Sequence, residues 1–166
     1  GKDTLARALR TLNGYDIIGM SDAIIAEVQE ITGWEITDAM KEDPVPGSPD
    51  TTFRDLLVRH GTARRRILKS YWIDKMAASV AASLIAGRGV IVTGVRLTEE
   101  FHWIRGNAGQ VIWLSRAGFE SDGTYTEENQ AHQCDIQLVN DGDINQVASS
   151  ALDQLRQSRL NLGKAA

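Results

Sequence analysis

Gly1-Lys2-Asp3-Thr4-Leu5-Ala6-Arg7-Ala8-Leu9-Arg10-Thr11-Leu12 opens the chain, a glycine–lysine pair at the foot of a segment whose Leu5, Leu9 and Leu12 share one helical face. A Gly-Lys pair at a helix start is the second half of a loop that cradles phosphates, in which first-turn amides and a lysine converge on the oxygens. The strand and loop glycines that belong before such a pair are absent from this stretch. The expectation is therefore a phosphate-binding α/β fold lacking its first strand, with an unpaired gap or exposed edge in the sheet.

Working outward, helical and strand patterns alternate, the signature of an α/β fold with a parallel sheet. Asn13-Gly14 ends the first helix, and Tyr15 to Met20 reads as a short strand. Ser21 and Asp22 are cap candidates for a helix with an Ile24, Ile25, Val28, Ile31 stripe ending at Gly33. Residues 41–50 hold all three prolines and read as a loop. Thr51 or Thr52 caps a short helix through Val58, and Thr62 caps a long one in which Leu68, Trp72, Met76, Val80 and Leu84 recur. Val90-Ile91-Val92-Thr93 reads as a strand buried on both faces. A helix over 99–104 follows, then strands at 111–114 and 136–139. The last helix starts at Asp143, with Gln146 as capping partner, and frays beyond Leu160.

At 166 residues, the chain is expected to form one domain over 1–166. A hydrophobic content of 42% and a charged content of 24% suit a globular protein. The net charge of −4 disfavours a long nucleic-acid footprint. Cys134, the single cysteine, excludes an internal disulfide and reads as a small buried residue. His60, His102 and His132 are too scattered for a metal spacing. No apolar run approaches the roughly 20 residues of a membrane span, and no leader pattern is seen, so no membrane association and a cytoplasmic location are expected.

Three constellations carry chemistry. Lys2 supplies a cation, the amides of Asp3, Thr4 and Leu5 supply donors, and Asp3 or Thr4 is the candidate magnesium ligand. Arg96 and Glu100 lie just past the strand 90–93, where open α/β sheets bind ligands; as a bland alternative they form a surface pair. Arg54 and the Arg64-Arg65-Arg66 run form the third. The run reads as lying in a helix's first turn, where it opposes the dipole and would be explained by a bound anion or by simple solvation. Arg116, after the strand 111–114, is placed to clamp phosphate.

In order and spacing, Gly1-Lys2-Asp3-Thr4, the Arg54…Leu57…Gly61-Thr62…Arg66 block leading to Trp72, Val92-Thr93-Gly94-Val95-Arg96…Glu100, and Asn140-Asp141-Gly142 resemble the phage-type deoxynucleoside monophosphate kinases, members of the P-loop kinases. The resemblance implies a three-layer α/β/α fold with a mostly parallel sheet, a substrate-binding helical part at about 21–86 and a lid at about 115–130. It implies transfer of the ATP γ-phosphate to a deoxynucleoside monophosphate, with ATP and Mg2+ required and a homodimer compatible. Lys2, Arg96 and Arg116 would be catalytic. Gly1, Lys2, Asp3, Thr4, Asn140 and Gly142 would hold ATP, with magnesium at Asp3 and Thr4. Arg54, Arg66, Trp72, Arg96 and Glu100 would hold the acceptor. Two departures stand out: Gly94 where the family usually has an acid, and Tyr125 where it often has a histidine. Rival readings are a P-loop kinase acting on a hydroxymethylated base in DNA, and a nucleotide-binding module without catalysis.

Overall fold

The computed structural model describes residues 1–118 and 131–162, with side chains described as far as residue 158. Its helices are α1 (Lys2–Asn13), α2 (Asp22–Thr32), α3 (Phe53–Ile67), α4 (Tyr71–Ile85), α5 (Thr98–Gly106) and α6 (Ile144–Leu162). Its strands are β1 (Asp16–Gly19), β2 (Pro44–Val45), β3 (Ser48–Thr52), β4 (Val90–Thr93), β5 (Ile112–Ser115) and β6 (Ile136–Val139). The described residues are thus mixed α/β, with three two-stranded sheets: β1 with β4, β2 with β3, and β5 with β6. The β5–β6 pair is parallel and the β2–β3 pair antiparallel. Among the described residues these pairs do not merge into one sheet. The expected lid, residues 122–127 with Tyr125 included, lies outside the described residues.

The chain packs as two compact units, Gly1–Ile17 with Gly87–Ala166, and Ile18–Ala86. In the first, Leu5 and Leu9 of α1, Ile136 and Leu138 of β6, and Val147, Ala148 and Ala151 of α6 form the core. Strand β6 alternates buried and exposed residues, so it covers this core with one face only. Strand β4, expected to be buried on both faces, is only half-buried along its length. Burial on both faces needs helices above and below a continuous sheet, and among the described residues β4 pairs with β1 alone. Leu12 is exposed, although it shares the leucine face of α1. Gly14 closes that helix as expected, at φ 67° with its N–H donating to the Arg10 carbonyl.

The second unit, into which the helical part expected at about 21–86 falls, builds its core from Val28, Ile36, Val45, Phe53 and Leu57. Three local expectations are corrected here. The stretch 41–50 is not simply a loop: it carries β2 and the start of β3, joined by Pro46-Gly47. Gly47 at φ 77° supplies the left-handed residue that a Pro-Gly turn requires.

The helix expected to stop at Val58 runs on through Gly61 to Ile67. Gly61, inside this helix, is a packing residue: a Cβ there would stand 3.1 Å from Ile24 Cδ1. The Arg64-Arg65-Arg66 run therefore occupies the last turn of α3, where cations complement the helix dipole. No bound anion is needed to excuse it.

The four-residue repeat of α4 is also only partly buried. Trp72, Met76 and Val80 are in the core, whereas Leu68 and Leu84 are exposed. A repeat of four precesses by about 40° per step around a 3.6-residue helix, and Leu68 stands outside α4 altogether, in extended backbone.

Thr52 is the cap of α3. Its hydroxyl accepts from the Asp55 amide at 3.1 Å, while Asp55 Oδ2 accepts from the Thr52 amide at 3.1 Å. Thr52→Ala is expected to cost about 1 kcal/mol, read as a lower urea midpoint at unchanged slope. An unchanged midpoint would refute this role for the cap.

Candidate functional site

The parallel register of β5 and β6 sets Ser115 opposite Val139. The next residues, Arg116 and Asn140, therefore leave the carboxyl ends of adjacent strands side by side, with the Asn140 amide donating to the Ser115 carbonyl at 2.7 Å. Carboxyl ends of parallel strands are where α/β sheets bind ligands. A polar recess of about 400 Å³ lies there, lined by Arg116, Ala117, Asn140, Asp141 and Gly142.

The N-terminus of α1 abuts the same corner. A Cβ on Gly1 would stand 2.6 Å from Asn140 Nδ2 and 3.4 Å from Leu114 Cδ2, so a larger residue there would have to displace the Asn140 amide. Lys2 follows with a half-exposed side chain whose Nζ lies 3.2 Å from Asp3 Oδ2. The structure thus brings Gly1, Arg116, Asn140 and Gly142 to one corner of the first unit, with Lys2, Asp3 and Thr4 on the adjoining first turn of α1.

Arg96 and Glu100 follow β4 and do not line this recess. Glu100 is buried, and its Oε2 accepts from the backbone amides of Arg96 at 2.7 Å and Leu97 at 3.0 Å. It caps the entry to α5 from three residues inside, a structural duty not foreseen for it. Gly94 adopts φ 77°. A side chain in that left-handed conformation costs roughly 1–2 kcal/mol, so a backbone requirement accounts for glycine at this position.

The remaining candidates lie in the second unit. Arg54 is paired with Glu42 at the surface, Nη2 to Oε1 2.5 Å. Arg66 is exposed in the last turn of α3. Trp72 is a core residue: its indole Nε1 donates to the Gly61 carbonyl at 2.9 Å, and Tyr71 packs edge-on against it with ring centroids 4.8 Å apart.

The most elaborate polar cluster was not singled out from the sequence. Glu27 of α2 is 7% exposed and receives four donors. His60 Nε2 lies 2.9 Å and Arg64 Nε 2.6 Å from Oε1; the Tyr71 hydroxyl lies 2.7 Å and Lys75 Nζ 3.0 Å from Oε2. The spacing explains the convergence, since His60 with Arg64 and Tyr71 with Lys75 are both i,i+4 pairs, each on one helix face. Arg64 and Lys75 also lie 5.4 and 5.3 Å from the Tyr71 ring centroid, within cation–π range. Burial pushes the Glu27 carboxyl up, but hydrogen bonds from Tyr71, Lys75, Arg64 and His60 outweigh it and bring its pKa down to about 2. One sequence signal was available. Glu27 interrupts the apolar stripe at the i+3 position from Ile24, and Glu27 is buried while Ile31 of the expected stripe is exposed.

Among the described residues, no group of three or more His, Cys, Asp or Glu side chains is arranged to hold a metal ion. Magnesium bound along with a nucleotide needs no such group, because one or two carboxylates plus the phosphates and water suffice. Asp3, exposed beside Thr4 at the start of α1, is one such carboxylate, with Lys2 Nζ 3.2 Å from its Oδ2. Cys134 is half-buried rather than buried, and burial followed by the nearby Asp135 pushes its thiol pKa up, against its use as a nucleophile. No helix among the described residues is long and apolar enough to cross a membrane. Comparison with protein-family models, curated proteins and solved structures returned no match.

Proposed function

We propose that this chain is a P-loop-type nucleotide kinase that moves the ATP γ-phosphate onto a deoxynucleoside monophosphate. One observation carries the reading: the glycine–lysine start of α1 stands against the carboxyl ends of a parallel strand pair, at a polar recess edged by Arg116, Asn140 and Gly142. The α1 amides and Lys2 would take the ATP phosphates, Asp3 and Thr4 the accompanying magnesium, and Asn140 and Gly142 the adenine side. Arg96 and Arg116 would neutralise charge that develops in transfer. The acceptor's phosphate oxygen attacks the γ-phosphorus, the bond to the β,γ-bridging oxygen breaks, and ADP and a diphosphate leave. Catalysis of this kind is mostly positioning and electrostatics.

A second reading, nucleotide binding without transfer, draws on Gly94, whose position holds no acid, and on Asp3, which pairs with Lys2. Incubation with γ-labelled ATP and each deoxynucleoside monophosphate separates the two. Labelled diphosphate is the expected product. ATP binding with no transfer to any monophosphate would favour the binding module, and label entering only hydroxymethylated DNA would move the assignment to a DNA-base kinase.

A further inference from the structure

The Glu27 cluster contains more positive charge than its one carboxylate can neutralise. Arg64 and Lys75 set two cationic heads against the one carboxylate, so the cluster carries an excess of positive charge. Both cationic side chains reach the surface, 39% and 44% exposed, while the carboxylate that holds them is buried. Among the described residues, the guanidinium of Arg64 is engaged through Nε alone, which leaves its two terminal nitrogens available. The Tyr71 ring fixes both heads from one side. Arginine and lysine heads held by a buried acid, with donors left over, form a preorganised anion site, because their side-chain entropy is already spent. A junction of three helices needs no such arrangement, since apolar side chains would join them equally well.

We infer that Arg64 and Lys75, oriented by Glu27 and Tyr71, form a clamp for the phosphate of a phosphate monoester. Under the kinase reading, on which the ligand's identity rests, that monoester is the deoxynucleoside monophosphate acceptor. This replaces Arg66 and Arg54 as principal phosphate ligands. Arg54 is already paired with Glu42, and no buried acid is seen to orient Arg66 among the described residues.

The test is calorimetric titration of the full chain with each of the four common deoxynucleoside monophosphates, the matching deoxynucleosides and inorganic phosphate, all without ATP. Arg64→Met and Lys75→Met are each expected to weaken monophosphate binding at least about tenfold, the loss of a charge-assisted hydrogen bond. Inorganic phosphate should compete, and deoxynucleoside binding should not change. Arg66→Met should bind monophosphate as wild type does. A tenfold loss in Arg66→Met with none in the other two overturns the clamp while leaving the kinase reading intact. Monophosphate binding that depends on Arg64 and Lys75, with no phosphoryl transfer in the labelled-ATP assay, upholds the clamp and removes the kinase reading.

Should either variant fail to fold, the wild type decides. Phosphate titration should move the Arg64 Nε–Hε resonance in a nitrogen–proton NMR spectrum, and a resonance that stays put at saturating phosphate overturns the proposal.

Discussion

Glu27→Ala is expected to be among the most damaging single substitutions in the second unit, lowering stability by about 3 kcal/mol. Its loss leaves Arg64, Lys75, His60 and the Tyr71 hydroxyl facing each other without an acceptor. The cost of breaking a buried ion pair by removing one partner runs to roughly 3–5 kcal/mol. The lower end applies here because Arg64 and Lys75 are partly exposed and can recover water. Urea unfolding followed by circular dichroism reads the effect.

The pH dependence has a definite sign. The folded pKa of about 2 lies below the ordinary value of 4.5. The carboxylate's stabilising contribution is therefore present above pH 4.5 and is lost as pH falls from there through the folded value. Wild type should lose stability steeply over that window. Glu27→Gln, which keeps an acceptor but cannot titrate, should show a shallower acid loss from a lower starting stability. Parallel acid profiles in the two proteins would rule out Glu27 as the group responsible.

On the proposed kinase reading, Lys2→Ala is expected to reduce phosphoryl transfer by about 10²- to 10³-fold in kcat/KM, the usual consequence of removing one preorganised charge from a transition state. Stability should barely change. The side chain is 55% exposed, and its ion pair to Asp3 is a surface contact of little value. That separation of effects gives the variant its force, because a merely structural residue would alter melting before it altered rate. Undiminished transfer by Lys2→Ala would remove the phosphate-loop reading of α1. A rate loss accompanied by a matching loss of melting temperature would assign Lys2 to packing instead.

Much of the local structure was legible in the residues. Strands β4 and β6 fall at 90–93 and 136–139, as their short apolar runs between turn signals indicate. The Asn13-Gly14 and Gly33 stops are left-handed helix caps. Once β5 and β6 pair in parallel, Arg116 and Asn140 emerge side by side, whereas the approach of Gly1 is decided by how α1 packs.

Two other features were misread, one because its packing partner lies far along the chain and one because a local cap was not recognised. The break expected between Val58 and Thr62 does not occur, and Gly61 inside the continuous helix packs against Ile24. Glu100 resembles a ligand until its carboxylate is found on the amides that lead into its own helix.

The sequence by itself determined the stops of α1 and α2, the places of β4 and β6, and that a glycine–lysine pair heads α1, but neither the extent of α3 nor the β2–β3 hairpin. Caps, turns and apolar periodicity act between residues a few positions apart, so they are written in local order. Only tertiary structure decided the fate of Glu27, whose partners His60, Arg64 and Tyr71 stand 33, 37 and 44 residues away. A lone acid on an apolar helix face is equally compatible with exposure and with burial. Desolvation makes burial costly unless several donors arrive together, and their arrival depends on how α2, α3 and α4 pack.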